Sequence, residues 1–340
     1  MDNIYRKINY NSSQFTLYHD QIVSQKINTD LQKIVNGILQ ILRGKIIAIY
    51  LVGGFGRGEG GVIVEQNNVN IVNDYDILVV LKNNFKITTK YLKLVDKFAD
   101  NIASELEVKQ VDIQLTYKWQ LGIPKNSVDR YEKKYGHYLL YGKATPIRFI
   151  GKIPIREGFR YLYNRGNGLL LNYVVIRKKL YKKNKYLAQE LIINNNKAIL
   201  AMGDALLIAH GMYHYSYAER MRRIVNLPWK RLDIDDELIL LYQKAIDFKI
   251  FPVKEELNDI TTAINQYLQI VKNYSIFVEW YKQKYNSIKI FGFLLNYPKK
   301  YCETFNLLKQ IAQCGFSYSP NPIIAKLIKW HSGGIIKEVI

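Results

Sequence analysis

LVGGFGRGEGG (residues 51–61), followed by NDYDILVVL (residues 73–81), is the stretch on which the reading of this chain turns. Just before it, residues 45–52 (KIIAIYLV) are apolar and rich in β-branched side chains, the pattern of a short buried strand. That strand runs into Gly53 and Gly54. Paired glycines let the backbone take φ > 0 and approach a ligand closely. Successive bare amides can then form a nest for a phosphate. Arg57 adds a fixed positive charge nearby. Asp74 and Asp76 stand at i and i+2 at the start of a second strand, residues 75–81, so a period of two sends both carboxylates to one face. Like charges held that close need an offset. A hard cation such as Mg²⁺, which takes oxygen ligands, supplies one.

Working outward, residues 108–117 read as a third strand. Val111, Ile113 and Leu115 alternate with Asp112 and Gln114, so Asp112 faces away from the apolar side as a third carboxylate. Three acids and a phosphate cradle are the parts of metal-assisted phosphoryl transfer, in which two metals roughly 3.5–4 Å apart clamp the attacking and leaving oxygens. Upstream, residues 1–17 look irregular. Residues 19–43 repeat apolar side chains at helical spacing and stop at Gly44. Downstream, Thr88 or Thr89 opens a helix to about Glu107, with Tyr91, Leu94, Val95, Phe98, Ile102 and Leu106 on one side. A short helix over 127–135 precedes a strand over 137–142.

GGFGRGE, then DYD at a strand start, then a later strand Asp, resembles the nucleotidyltransferase superfamily that includes DNA polymerase β. This variant is most similar to bacterial uridylyltransferase-type members. The likeness covers roughly residues 45–117, and DRYEKKYGHYLLYG resembles the helix and strand that follow in small bacterial members. It implies that Gly53 and Gly54 contact nucleotide phosphates. It further implies that Asp74 and Asp76 bind both Mg²⁺ ions, and that Asp112 binds one and helps activate the acceptor hydroxyl. Two features depart from the family pattern. Nineteen residues separate Gly54 from Asp74, where about a dozen or fewer is common, and Asn73 replaces the usual Ser. The extra VIVEQNNVNIV reads as a β-hairpin with Asn67 and Asn68 near its turn. It lies where a lid or acceptor-recognition element would sit.

The whole chain has 340 residues, 49 Lys+Arg against 29 Asp+Glu, and a formal charge of +20. Residues 1–150 carry 20 basic and 14 acidic side chains, and residues 151–340 carry 29 and 15. A basic surface favours polyanions, although a Lys-, Asn-, Ile- and Tyr-rich composition is also what an AT-rich genome produces. Cys302 and Cys314 make no disulfide framework or zinc pattern. The N-terminal stretch lacks a signal-peptide apolar run. No segment offers the ~18 uninterrupted apolar residues of a membrane span; the best, 198–210, contains Asp204. A cytoplasmic setting without membrane contact is the expectation.

After Gly151 long helical periodicities dominate, over 168–180, 186–214, 236–248 and 254–284, with Asn194-Asn195-Asn196 as a plausible loop. The expected fold is therefore α+β: a small mixed-sheet nucleotidyltransferase domain with an N-terminal helix over 1–150, then a mainly helical, basic substrate-binding domain over 151–340. In many two-domain relatives a lysine on a helix of the second domain reaches the triphosphate. By that resemblance Lys197, at the opening of a helical segment, is a nucleotide-binding candidate, set against a plain exposed lysine. His210 and His214 at i, i+4 share a helix face as a structural or substrate-contacting pair rather than a metal site. Tyr213, Tyr215, Tyr217, Arg220, Arg222 and Arg223 form one aromatic–basic cluster. Arg177, Lys178, Lys179, Lys182, Lys183 and Lys185 with Tyr181 and Tyr186 form another. Both suit RNA or nucleotide, or a solvated basic face over core tyrosines. Glu59 is placed to orient Arg57 or the loop backbone, or is simply a surface partner.

The resulting expectation is a Mg²⁺- or Mn²⁺-dependent enzyme that moves an NMP from an NTP, ATP by default, to an acceptor hydroxyl on a protein or an RNA (tRNA) 3′ end, releasing pyrophosphate. The alternatives are a small-molecule, antibiotic-type nucleotidyltransferase, a cyclic or oligonucleotide synthase, and a non-catalytic nucleotide or RNA sensor.

Overall fold

The computed structural model describes residues 14–18, 20–66, 68–227, 236–285 and 298–317. Residues 1–13 of the irregular N-terminal stretch, His19 and Asn67 lie outside them. The chain divides into two units. The first comprises residues 1–152 with 214–219 and 249–252, and the second comprises 153–213, 220–248 and 253–340.

In the first unit, α1 (Gln21–Ile41) opens on Asp20, whose carboxylate accepts from the Ile22 amide at 2.7 Å. Its stripe of Val23, Ile27, Leu31, Ile34 and Ile38 is fully buried. Each such side chain contributes about 1.5–3 kcal/mol relative to exposure. Gly44, at φ +66, ends the turn that follows. The strands β1 (Ile46–Val52), β4 (Tyr75–Leu81), β5 (Val111–Tyr117) and β6 (Tyr138–Gly142) form a sheet in the order β5-β4-β1-β6. Between β1 and β4 lie the four-residue α2 (Gly53–Gly56) and a separate hairpin, β2 (Val62–Glu65) with β3 (Asn68–Ile71). β1 pairs antiparallel with β4 and β6, and β4 pairs parallel with β5 through α3 (Thr89–Glu105). The hairpin forms where the alternation of residues 62–72 predicts it, and its Val62, Val69 and Ile71 enter the core.

The sheet has two unlike faces. Ile49, Leu51, Ile77, Val79, Leu81 and Val111 pack with α1 and α3 in one cluster, while Ala48, Tyr50, Val52, Leu78 and Val80 pack with Leu121 and Ile147 on the other side. Leu121 belongs to α4 (Lys118–Gly122), a turn the periodicity does not announce. Gln120 builds it by accepting from the Tyr117 amide at 2.9 Å and the Thr116 hydroxyl at 3.0 Å. α5 (Val128–Tyr135) starts at Ser127, whose hydroxyl accepts from the Arg130 amide. Thr88 occupies the N-cap position of α3 without a side-chain bond, and Leu94, expected on its inner side, is exposed.

The second unit is helical: α6 (Arg156–Arg177), α7 (Lys185–Ala209), most of α8 (Tyr217–Ile224) and of α9 (Asp236–Ile250), α10 (Lys254–Asn258), α11 (Ile260–Lys284) and α12 (Pro298–Cys314). The mixed α+β class with a helical second half stands as expected. Several local expectations do not. α6 begins well before Gly168. Residues 254–284 form two helices, because Asp259 starts α11 by accepting from the Thr262 amide at 3.0 Å. Asn194-Asn195-Asn196 is no loop but the middle of α7. Asn172 of α6 donates to Leu191 O at 2.8 Å and to Asn195 Oδ1 at 2.9 Å, Asn194 donates back to Asn172 Oδ1, and Asn195 donates to Ala263 O. With their amides answered across the bundle, these residues lose the local reason to leave a helix.

The same helix holds Lys197 in its interior rather than at its start. It ends at Ala209, with Gly211 at φ +69, so His210 and His214 share no helix face. α7 is long and apolar enough by composition to cross a membrane, yet 83% of its apolar window is buried inside the protein. Its Asp204 explains the apparent anomaly of an acid in that run. The carboxylate accepts from Arg220 at 3.1 Å and from the Tyr242 hydroxyl at 2.6 Å, all three buried. Arg220 also lies 4.2 Å from the Tyr213 ring centre. Two of the six residues of the expected Tyr/Arg face, Tyr213 and Arg220, are therefore interior structure.

Candidate active site

Strand register brings the acids together. Val52 is opposite Asp76, and Asp76 is opposite Asp112. Directly paired residues share a face, and Asp74 lies two residues before Asp76. All three carboxylates therefore sit at one end of the sheet, on the face whose body is Ala48, Tyr50, Leu78 and Val80. Asp112 is exposed and Asp76 is half-buried.

The charges act on one another. Burial pushes the Asp76 carboxyl up to about 6, the charges of Asp74 and Asp112 add to the rise, and those of Lys249 and Arg57 oppose it. Loss of hydration raises Asp112 as well, followed by Asp74, against Lys133. Oδ1 of Asp74 is buried without a hydrogen-bond partner. Among the described residues no three His, Cys, Asp or Glu side chains close into a ready metal cage. The acids are near enough to feel one another but remain open.

The glycine loop fits against this cluster. Gly53 has φ +65, and a Cβ there would stand 1.9 Å from Asp76 Oδ2. Only glycine lets the end of β1 pass under the carboxylate. A Cβ on Gly54 would meet nothing nearer than 3.6 Å. The second half of the loop is closed on itself and on its neighbours. The Arg57 amide donates to Gly53 O, Gly58 to Phe55 O, Glu59 to Gly54 O and Gly60 to Phe15 O. The Gly61 amide donates to Asn73 Oδ1 at 2.6 Å. Asn73 thus ties the foot of the hairpin to the loop, which accounts for its place before Asp74.

Behind the acids, Tyr75 anchors the strand. Its hydroxyl donates to Asp30 of α1 at 3.1 Å, and Lys26 holds the same oxygen at 2.7 Å. Phe55 of the loop packs on the Tyr75 ring at 4.9 Å between centres. At the β6 side, His137 sets its ring edge-on to Tyr50 at 4.9 Å and keeps Nδ1 buried without a partner.

Arg57 is not open to solvent. Its side chain is 6% exposed, 3.3 Å from Glu59, 3.7 Å from Glu132 and 4.7 Å from the centre of the Tyr217 ring. Glu59, far from being a surface partner, is buried. It accepts from the Ser216 hydroxyl at 2.7 Å, the Tyr217 amide at 2.8 Å and the Ala218 amide at 3.0 Å.

Lys197 belongs to the second unit, whereas Lys249, whose charge reaches Asp76, belongs to the first with the acids. Lys249 gives no local signal in sequence, since it is separated from the DYD strand by most of the chain. Lys133, which opposes the rise at Asp112, sits on α5 paired with Asp129 and donates to Gln114.

No family model matches the chain, and no curated protein does. Among solved structures it is similar to a spectinomycin adenyltransferase from Enterococcus faecialis crystallised with ATP and spectinomycin, at 14% identity and a TM-score of 0.37, over 70% of this chain and 98% of that one.

Proposed function

We propose that this protein is a divalent-metal-dependent nucleotidyltransferase that moves an NMP from an NTP to an acceptor hydroxyl. The observation that carries the reading is the row of Asp74, Asp76 and Asp112 on one face, meeting a glycine turn that only Gly53 allows. The donors are all oxygen, their charges raise one another, and one buried oxygen has no partner. That set suits Mg²⁺ or Mn²⁺, held by Asp74, Asp76 and Asp112. The open arrangement agrees with Mg²⁺ chemistry, in which one or two carboxylates and substrate phosphates share the ion. When bound, the metal neutralises the triphosphate and the charge developing at the transferred phosphorus.

The chain's own residues do the rest. The first turn, Gly53–Gly56, offers backbone amides to the phosphates, and Lys249 adds charge beside Asp76. Asp112, exposed and with a raised proton affinity, takes the proton of the acceptor hydroxyl. The acceptor oxygen bonds to the α-phosphorus, the bond to pyrophosphate breaks, and the proton leaves Asp112 to solvent. Positioning and electrostatics supply most of the rate.

For the acceptor we favour an RNA 3′ end, or a protein, over a small molecule. The chain carries +20, and Arg177, Lys178, Lys179, Lys182, Lys183 and Lys185 are all exposed around the α6–α7 connection. The test is incubation with each α-³²P-NTP, Mg²⁺ or Mn²⁺ and a cell extract, beside the Asp74→Ala/Asp76→Ala variant. Label in an RNA or protein fraction that the variant abolishes supports the reading. Label in a small-molecule or soluble-nucleotide fraction redirects the acceptor, and no variant-sensitive label in any fraction favours a binding-only sensor.

A further inference from the structure

The buried carboxylate of Glu59 takes no part in the chemistry above, yet three hydrogen-bond donors and a guanidinium answer it. It lies in the glycine loop, two residues past Arg57, and is 3% exposed. Three donors from residues 216–218 converge on it, and Arg57 Nε approaches to 3.3 Å. A buried carboxylate is stable only when its oxygens are answered in this way. The Ser216 hydroxyl is itself placed by the turn, since it also accepts from the Glu219 amide at 3.2 Å. On the other side of Arg57 stand Glu132 and the Tyr217 ring. The loop backbone is equally confined: Gly56 lies against Leu51 O and Gly136 O, and Gly136 against Arg57 Cβ and the Tyr215 ring.

We propose that Glu59 is a positioning residue: it locks residues 216–218 onto the glycine loop and so holds the phosphate-binding turn in its working shape. Arg57 is a member of this lock rather than a phosphate ligand. Its guanidinium is set against two carboxylates and an aromatic face, and its charge lowers the proton affinity of Asp76. Residues 214–219 come from far along the chain but belong to the first unit. The shape of the loop therefore depends on a segment that no motif includes. The inference rests on the NTP-binding reading for its effect on nucleotide, but not for the lock itself.

Two readouts separate these. Amide hydrogen exchange of the full chain reports the lock directly. In Glu59→Gln, which keeps the shape but presents donors to donors, segments 53–61 and 214–219 are expected to exchange at least ~10-fold faster, with β4 and β5 unchanged. Steady-state transfer is expected to show KM for NTP rising about 10-fold while kcat falls less. Ser216→Ala, which removes one hydrogen bond only, gives a smaller change of the same kind and serves if Glu59→Gln does not fold. In a double-mutant cycle, Arg57→Lys and Glu59→Gln together are expected to be no worse than the worse single change. Unchanged exchange in both segments overturns the lock. Additive losses of nucleotide affinity in the cycle overturn the assignment of Arg57 and make it a phosphate ligand. If the wild-type chain neither binds nor transfers any NTP, the nucleotidyltransferase reading falls while the exchange result still decides the lock.

Discussion

Asp76 is held where its charge is costly, and that has a measurable sign. Its ordinary value is 3.8 and its value in the folded chain is about 6, so the folded state binds the proton more tightly than the unfolded one. The stability this provides is present below about pH 4 and is lost as pH rises through 6. Asp76→Asn removes the charge. In metal-free buffer it is expected to raise the unfolding free energy by about 1–3 kcal/mol at pH 7.5 and to make little difference at pH 4, as urea titrations will show. Binding a cation requires the ionised form, so Mn²⁺ affinity of the wild-type chain should rise with pH through about 6 and be weak throughout in Asp76→Asn. Titration calorimetry at pH 5 and pH 7.5 checks this. Neighbouring glycines should differ sharply. Gly53→Ala meets both φ +65 and the Asp76 carboxylate, and is expected to cost about 1–3 kcal/mol and to abolish transfer. Gly54→Ala, with space around it, should cost less than about 1 kcal/mol in the same unfolding assay.

At the scale of elements, β4 is placed from behind as much as from its own sheet. Tyr75 separates the two acids and points to the opposite face, where Asp30 and Phe55 receive it. Tyr75→Phe keeps the ring contact and deletes the hydroxyl. The expected loss is about 1–2 kcal/mol in denaturant unfolding, with the metal titration little changed, because β4 keeps its backbone register. The hairpin has a comparable double nature. It spans the stretch between the glycine loop and the DYD strand, yet Val62, Val69 and Ile71 are core residues and Asn73 bonds its foot to the glycine loop. The alternation of VIVEQNNVNIV was enough to read a hairpin. Its burial was not readable, since the partners on α1 lie outside the segment.

For the whole molecule the charge of +20 is the property with consequences. The two basic clusters that look alike in sequence differ in the folded chain. Arg220 is fully buried against Asp204 and Tyr213, whereas the six cations from Arg177 to Lys185 are exposed. If RNA is the acceptor, the second cluster carries the phosphate contacts. Changing Lys178, Lys179, Lys182 and Lys183 to Gln should then weaken RNA binding about 10-fold or more near 100 mM salt. It should also flatten the log K against log salt slope by roughly 0.7 for each lost contact to a single strand. Gel shifts across a salt series measure both.

What the sequence alone determined is local. A period of two and an uninterrupted apolar run define β1, β4 and β5, and the same period puts Asp74, Asp76 and Asp112 on one face once the strands pair. The paired glycines at the end of β1 announce a tight turn in sequence, whereas the passage of Gly53 under the Asp76 carboxylate belongs to the packed chain. Only the tertiary structure decided whatever depends on a partner far along the chain. It buried Glu59 under residues 216–218, brought the charge of Lys249 to Asp76, and turned three asparagines from a loop into the middle of a helix. The physical reason is that a polar or charged side chain has no fixed preference of its own. It is stable inside or outside according to whether another segment answers its hydrogen bonds, and that is a property of the packed chain rather than of any window of it.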